Sequence, residues 1–357
     1  MATTFKRLGS NDVVAQRSLL HEAIPITGSI VSGTYADENI KNYSHGMFQS
    51  VYDYPYLSSS ANHIFDLTMG YASTSAMSAS TSTQNSKKIN LYTEMAQVLM
   101  GFDATGSIQL FDEDGDLSAG GTKLRECFFV NFSRLLQKDE VKKGSFQLEL
   151  GVSGAYGAGA FNDRVVLKDT GAETAFKVNS PAGEYGILYG TNTAGTRLKN
   201  ADTPGETVKA GLLFYQTGIA VVTGSIFGSL LSSSVEFASG SPGTETVNTA
   251  MTSSISGACN GFRHRMYNLS FNNTTELNST MFFCRANNKD FNYSSNVTYL
   301  SASKLRVKNN TADLPVSYIT TVGLYSVDNE LLAVAKLSEP LQKDPTQEFI
   351  LKVRLDY

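Results

Sequence analysis

The residue types that most often mark catalysis and sugar binding are scarce in this chain. Its 357 residues include no tryptophan and only four histidines. Histidine is the usual general base of enzymes, yet the four form no HExxH or similar metal-binding spacing. They are His21, His45, His63 and His264. Because no GxSxG nucleophile motif occurs either, we predict a protein without catalytic activity, metal or cofactor.

Cysteine is equally sparse, since Cys127, Cys259 and Cys284 lie far apart and without a CxxC spacing. The number is odd and no pairing can be assigned, so we expect reduced thiols and a cytoplasmic history. His264 follows Cys259 by five residues, which leaves a Cys–His nucleophile pair as an alternative. The glycine-rich residues 151–160 lack the Lys-Ser/Thr pair of a phosphate-binding loop. Nucleotide binding is therefore not expected.

Charge is low and nearly balanced. Charged residues make up 17% of the chain, against about 25% in an average soluble domain. The net charge of −4 shows no basic excess, so nucleic acid is not an expected partner. No run approaches the roughly 18 apolar residues of a membrane span, and the N-terminus has no apolar signal region. Low charge is typical of β-rich chains, and of proteins whose surface is covered by neighbouring subunits.

Short apolar runs separated by Gly, Ser, Thr and Asn turns predict a mainly β fold with sandwich-like or barrel-like sheets. One notable helix is predicted at about residues 87–100, with Ser86 as its N-cap and Gly101 at its end. Its apolar stripe comprises Ile89, Tyr92, Met95, Ala96 and Leu99. The Ser/Thr/Gly-rich residues 238–260 are expected to form a surface loop.

The last forty residues have the clearest strand pattern. Residues 318–325 and 330–337 predict a β-hairpin around a turn at 326–329, after which Pro340 and Pro345 interrupt the pattern. The final strand alternates between an apolar face and a polar face. Its apolar face comprises Phe349, Leu351, Val353, Leu355 and Tyr357, and its other face comprises Ile350, Lys352, Arg354 and Asp356. The chain is therefore expected to end inside a sheet.

An acidic segment resembles a calcium loop only in part. Asp112, Asp114 and Asp116 alternate as calcium ligands do. However, Gly115 comes before the third aspartate, and Lys123 occupies the twelfth position, where a closing glutamate is required. The spacing therefore predicts an acidic hairpin turn without a metal.

Aromatic residues are dense at 47–56, where Tyr52, Tyr54 and Tyr56 follow one another at every second position. Tyrosine is favoured at interfaces because it joins an apolar body to a polar tip. A sugar-binding platform is the alternative. We predict an assembly interface from these tyrosines and the apolar face of the last strand: Tyr52, Tyr54, Tyr56, Phe349, Leu351, Val353, Leu355 and Tyr357.

Several long blocks of the sequence resemble a known group of proteins. They are LHEAIPITGSIVSG, IKNYSHGMFQSVYDYPYLSSSANHIFDLTMGY, NSKKINLYTEMAQVLMGFD, FFVNFSRLLQKDEVKKGSFQLEL and the last forty residues. They are similar to virion structural proteins of large contractile-tailed (myovirus-type) bacteriophages, particularly those infecting marine cyanobacteria. The resemblance covers roughly the first 150 and the last 40 residues. It implies a part of a phage particle and carries over no catalytic or ligand residues.

These observations lead to one prediction of organisation and function. Residues 1–150 and 311–357 are expected to form an assembling β domain that contains the helix, and 151–310 a second β domain or large insertion. The predicted function is that of a non-catalytic virion subunit of the tail or baseplate. It would form homo-oligomers and bind other virion proteins, after assembly in the host cytoplasm. The alternatives are a capsid or capsid-decorating protein, a receptor-binding adhesin and a polysaccharide-degrading tail enzyme.

Overall fold

A computed structural model describes most of the chain in two compact units. The described residues are 5–21, 37–117, 120–136, 139–152, 163–231, 237, 245–292, 300–301, 304–305, 312 and 315–357. One unit, which we call the sheet unit, is Leu20–Thr275, and the other, the terminal unit, joins Met1–Leu19 to Glu276–Tyr357. The fold is mainly β, with 41% strand and 18% helix, which confirms the predicted fold class.

The strands and helices of the described residues follow in chain order. The first strands are β1 Val13–His21, β2 Ile40–Asn42, β3 Gln49–Tyr52, β4 His63–Tyr71, β5 Glu126–Asn131, β6 Glu140–Val141, β7 Gln147–Gly151, β8 Arg164–Lys168 and β9 Tyr185–Thr191. The later strands are β10 Lys209–Phe214, β11 Ile219–Thr223, β12 Met266–Ser270, β13 Asn273–Ala286, β14 Leu300–Ser301, β15 Lys304–Leu305, β16 Ser317–Tyr325, β17 Leu331–Lys343 and β18 Phe349–Asp356. The α-helices are α1 Asn85–Leu99, α2 Ala172–Ala175, α3 Val247–Thr252 and α4 Ile255–Arg265, and short 3-10 turns occupy Ser10–Asp12, Asp37–Asn39, Ser133–Leu135, Gly224–Phe227 and Ser229–Leu231.

A ten-stranded antiparallel sheet dominates the sheet unit, in the order β12-β7-β8-β9-β10-β11-β5-β4-β3-β2. Strand β5 lies in its middle and is buried on both faces. Because side chains alternate along a strand, Phe128 and Val130 enter one hydrophobic core, while Cys127 and Phe129 enter a second core. Phe128 stacks on Phe262 of α4, with 4.7 Å between ring centroids. Helices therefore cover both faces of the sheet at this strand.

Helix α1 confirms the predicted helix, although it begins two residues earlier, at Asn85. The predicted cap, Ser86, lies inside the helix, and Gln84 precedes it with a left-handed φ of 55°. The Gln84 side chain instead accepts a hydrogen bond from the Ile255 amide at 2.9 Å. The helix ends before Gly101, which has a φ of +78° as a C-terminal glycine requires.

At Gly70 on β4, the backbone of α1 lies close to the sheet. A methyl group there would lie 2.6 Å from the Lys88 carbonyl oxygen and 2.8 Å from the Tyr92 amide nitrogen. We expect Gly70→Ala to lower the free energy of unfolding by about 1–3 kcal/mol, because the helix backbone must move. Urea denaturation measures this effect, with Gly120→Ala as the control, since a methyl group at Gly120 meets nothing within 4 Å. Equal stability of the Gly70→Ala protein would contradict the close packing.

The prediction of a surface loop at 238–260 was wrong for its described part. Helix α3 and helix α4 lie there, and Ile255, Ala258, Cys259 and Phe262 are fully buried in the core. The Ser and Thr residues that suggested a loop include the helix caps. Ser254 Oγ accepts a hydrogen bond from the Gly257 amide at 3.1 Å, and such caps favour helix initiation. The remaining residues, 238–244, lie outside the described residues.

The units divide the chain differently from the predicted domains. Strands β8 to β11 belong to the predicted second domain, yet they lie within the same sheet as β4, β5 and β7. The boundaries between the two units lie instead at residues 19–20 and 275–276. Composition carries no information about this pairing, because β5 pairs with β11 across a long stretch of intervening sequence.

The terminal unit contains a sheet in the order β1-β13-β18 and a hairpin of β16 and β17. Strand β17 extends beyond the predicted end at Leu337 and passes through Pro340. The register explains this, because Lys336 pairs with Thr321 and Leu341 pairs with Ile319. The residues between Lys336 and Leu341 form a bulge outside the regular ladder. Pro340 lies in this bulge, where its missing amide hydrogen costs no strand hydrogen bond. Short strands β14 and β15 pair with each other.

Candidate functional site

The last strand has the alternation that the sequence predicts. Val353 is buried, and Phe349, Leu351 and Leu355 are half-buried, whereas the intervening residues are exposed. Tyr357 differs from the other apolar-face residues because it is 75% exposed. Most of this predicted interface face therefore packs inside the terminal unit.

The pairing of β18 with β13 shows which backbone groups remain available. Tyr357 N donates to the Asn278 carbonyl oxygen at 2.8 Å, and Asn278 N donates to the Tyr357 carbonyl oxygen at 3.1 Å. Since such pairs recur at every second residue of an antiparallel ladder, the backbones of Lys352 and Arg354 point toward the other edge of β18. No described strand of the terminal unit pairs with that edge. Exposed charged side chains on an edge strand are a common protection against unwanted pairing.

The hairpin of β16 and β17 exposes several large apolar side chains. Tyr318 is 63%, Leu332 67% and Val334 51% exposed. Strand β16 contains no charged residue, and β17 has none before Lys336. Among the described strands, neither pairs with anything except the other. Sequence analysis found the hairpin but missed its exposure, although the uncharged sequence was a signal for it.

Two local features hold the hairpin in shape. At its turn, Ser326 N donates to the Glu330 carbonyl oxygen at 2.8 Å, and Asn329 has the left-handed φ of 63° that asparagine tolerates. At its other end, the fully buried Lys343 ammonium donates to Asn292 Oδ1 and to the Asp344 carbonyl oxygen, both at 2.8 Å. The hairpin is thus a defined element, although its apolar side chains are exposed.

The predicted tyrosines lie in the sheet unit, near the end of the large sheet. Tyr52 is half-buried, and its ring meets the His63 ring edge-on at 5.3 Å. Tyr54 and Tyr56 are 57% and 37% exposed. Tyr56 and Leu57 line a shallow depression of about 570 Å³ beside edge strand β2. The structure therefore places these tyrosines in a different unit from the C-terminal strand.

The acidic segment folds into the predicted turn, and its carboxylates converge. Asp112 pairs with Lys123 in an isolated antiparallel bridge. One carboxylate oxygen from each of Asp112, Asp114 and Asp116 lies within 4.8 Å of the others. Asp112 is only 1% exposed. Its Oδ2 accepts from the Leu117 amide at 2.8 Å and lies 2.9 Å from Lys123 Nζ, but its Oδ1 has no hydrogen-bond partner.

Two side chains from later in the sheet unit hydrogen-bond to the backbone of this turn. The Gly115 carbonyl oxygen accepts from Asn179 Nδ2 at 3.1 Å and from the Tyr185 hydroxyl at 3.5 Å. Burial, together with the nearby Asp112 charge, raises the pKa of Tyr185 to about 12. Leu117, at the sixth position of the segment, has a φ of 58°. It thus adopts the left-handed conformation for which calcium loops use glycine.

Two of the three cysteines, Cys127 and Cys259, lie in buried environments. Cys259 is fully buried on α4, and burial raises the pKa of its thiol. Burial likewise raises the pKa of Cys127. Because the thiolate is the nucleophile, a buried thiol with a raised pKa is a poor one. His264 lies five positions further along the same helix, which places it on another face. The structure thus disfavours the Cys–His alternative.

The remaining comparisons concern the chain as a whole. Within the described ranges, no helix combines the length and apolar content needed to cross a membrane. The expectation of no membrane partner stays a prediction. No protein-family model matches the chain, and no match is found among curated proteins or solved structures.

Proposed function

We propose that this chain is a non-catalytic structural subunit of a bacteriophage virion, in the tail or baseplate. It assembles with further copies of itself and binds other virion proteins. The observation that supports assembly is the hairpin of β16 and β17, which exposes apolar side chains and whose strand β16 contains no charge. The assignment to a phage particle depends on the sequence resemblance, and the choice of tail or baseplate depends on the type of phage.

The hairpin has the properties of a surface that a partner covers. An isolated two-stranded hairpin is at best marginally stable in water. Strand β16 contains no Lys or Pro, and an exposed edge without these residues is a template for pairing with another chain. A partner that also covers the face of β17 would remove exposed side chains such as Leu332 and Val334 from water. Each fully buried side chain of this size contributes about 1.5–3 kcal/mol.

A second copy of the chain fits the hairpin better than it fits the edge of β18. Two β16 strands paired antiparallel bring no like charges together, because β16 contains no charge. Two β18 strands paired about their middle would place Lys352 opposite Arg354, and like charges directly opposite are destabilising. We therefore assign self-association to the hairpin. We assign the exposed Tyr54 and Tyr56, which belong to the predicted assembly interface, to the binding of other virion proteins.

Light scattering coupled to size exclusion tests the assignment. We expect the purified wild-type chain to form an oligomer of defined mass, and the Leu332→Lys/Val334→Lys variant to be a monomer with an unchanged circular dichroism spectrum. Val178→Lys is the matched control, since Val178 is 69% exposed but lies in the sheet unit. An oligomer that the double substitution leaves intact would overturn the hairpin assignment. Rings in negative-stain images would support the tail, whereas closed shells would indicate a capsid role instead.

A further inference from the structure

We propose that the acidic turn of residues 112–117 binds a calcium ion through Asp112, Asp114 and Asp116. This inference does not depend on the proposed virion function. The sequence spacing predicted an acidic turn without a metal. The structure favours a metal site because it shows the distances between the carboxylates, which spacing cannot show.

The distances allow one calcium ion to contact all three aspartates. Calcium–oxygen distances are about 2.3–2.6 Å, so two oxygens bound to the same ion are at most about 5 Å apart. One oxygen from each of the three aspartates lies within 4.8 Å of the others. The burial of the three side chains ranges from buried Asp112 to exposed Asp116. An ion bound between them would therefore have open positions for water.

The orphaned oxygen of Asp112 is an independent indication of a ligand. Asp112 is 1% exposed, and its Oδ1 has no hydrogen-bond partner. A buried carboxylate oxygen without a partner is costly, by about 1–3 kcal/mol or more for a charged group. Because Oδ2 already accepts from Leu117 and Lys123, those contacts leave Oδ1 unsatisfied. A bound cation would satisfy it.

Charge also favours a divalent ion. The turn brings three carboxylates together, and the Lys123 Nζ lies 2.9 Å from one of them, at Asp112 Oδ2. Lys123 stands where a calcium loop has its closing glutamate, so we expect weak binding, with a Kd of about 0.1–1 mM, as in extracellular calcium modules.

The donor set selects calcium among metal ions. All the protein ligands are carboxylate oxygens, which suit hard cations and not the soft metals that prefer thiolate or imidazole. Magnesium demands near-ideal octahedral geometry and gives up its water reluctantly, whereas calcium accepts irregular sites. The Gly115 carbonyl is held by Asn179 and Tyr185. The turn is therefore preorganised by the sheet unit before any ion binds.

Isothermal titration of the chelator-treated full chain with calcium chloride tests the proposal. We expect one site per chain, and at least a tenfold weaker Kd in the Asp114→Asn/Asp116→Asn variant. Asp202→Asn is the matched control, because Asp202 lies in another exposed turn. Lys123→Gln should bind calcium severalfold more tightly, since the competing ammonium is removed. Misfolding would weaken calcium binding, so it could not produce this gain in affinity.

Terbium luminescence provides a second readout. The chain has no tryptophan, so tyrosine sensitises bound terbium, and Tyr185 contacts the turn directly. We expect a terbium signal that calcium displaces and that Tyr185→Phe reduces. No heat and no signal from the wild type up to about 10 mM, tenfold above the weak end of protein sites, would overturn the proposal. Unchanged binding in the double aspartate variant, or equally tight magnesium binding, would also overturn it.

Discussion

A chain that ends at Glu348 is expected to lose the fold of its terminal unit. The truncation removes β18, which pairs with β13 from Phe349 opposite Ala286 to Asp356 opposite Ser279. Strand β13 would keep only β1 as a partner in its unit, and a two-stranded ribbon is marginal in water. Burial of Val353 would be lost as well. Because whole domains are stable by only about 5–15 kcal/mol, losing a strand is expected to unfold the unit.

Soluble yield and amide hydrogen exchange of β13 measure this outcome. We expect the truncated chain to be insoluble, or to lose protection along β13 and to fail to assemble. Two point substitutions separate the loss of packing from the loss of chain length. Val353→Lys places a charge on the buried face and should reproduce the effect, whereas Ile350→Lys, on the 58% exposed neighbour, should be tolerated. A soluble, normally assembling truncation would contradict the prediction.

Lys88 is expected to make the stability of the sheet unit depend on pH. It is fully buried on α1, and its ammonium donates to the Met251 carbonyl oxygen at 2.7 Å and to that of Ser253. These carbonyls end helix α3, where a cation is favourable. Burial nevertheless lowers the pKa of Lys88 from 10.5 to about 8.

The sign of the effect follows from proton binding. Between pH 8 and 10.5 the unfolded chain holds a proton on Lys88 that the folded chain has released. The free energy of unfolding therefore rises with pH in this window, by up to about 3 kcal/mol from this group. Buried thiols and phenols act in the opposite direction, because burial raises the pKa of Cys127 and Cys259 and of tyrosines such as Tyr92.

A comparison with Lys88→Met isolates the contribution of Lys88. The thiols and phenols are common to both proteins, so they cancel in the difference between the two unfolding free energies. We expect that difference to shift in favour of the wild type as pH rises from 8 toward 10.5, in urea titrations. Lys87→Met is the control, because Lys87 is the exposed neighbour, and its difference from the wild type should stay constant. A constant difference for Lys88→Met would show that this side chain keeps an ordinary pKa.

The features that sequence predicted are those with a local period. The C-terminal strand alternates over neighbouring residues, the hairpin has turn residues between two strand-like runs, and helix α1 has an apolar stripe. Each is therefore recognisable within a short window. Helix α4 was missed because its caps and small residues resemble a loop. The strand order was not predictable, since β11 inserts beside β5 through contacts that no local pattern encodes.

In the candidate sites too, the sequence did not predict which distant residues come together. The sequence placed Tyr54 and Val353 in one predicted interface, but these residues belong to different units. For the acidic turn, the failed spacing at Lys123 argued against a metal, whereas the fold brings three carboxylates together. The spacing pattern describes only one known type of calcium loop. Whether the three carboxylates converge depends on the path of the backbone.

The pairing of β5 with β11 also has a consequence for synthesis on the ribosome. Strand β5 ends at Asn131, and its partner begins at Ile219. At about 5–20 residues per second, the ribosome needs several seconds to make the intervening chain. During that time β5 has an unpaired edge and exposed phenylalanines. Strand β1 remains without its partner for longer, until β13 has been synthesised. Nascent chains of this protein are therefore expected to bind chaperones, and slower translation would lengthen the exposure of these strands.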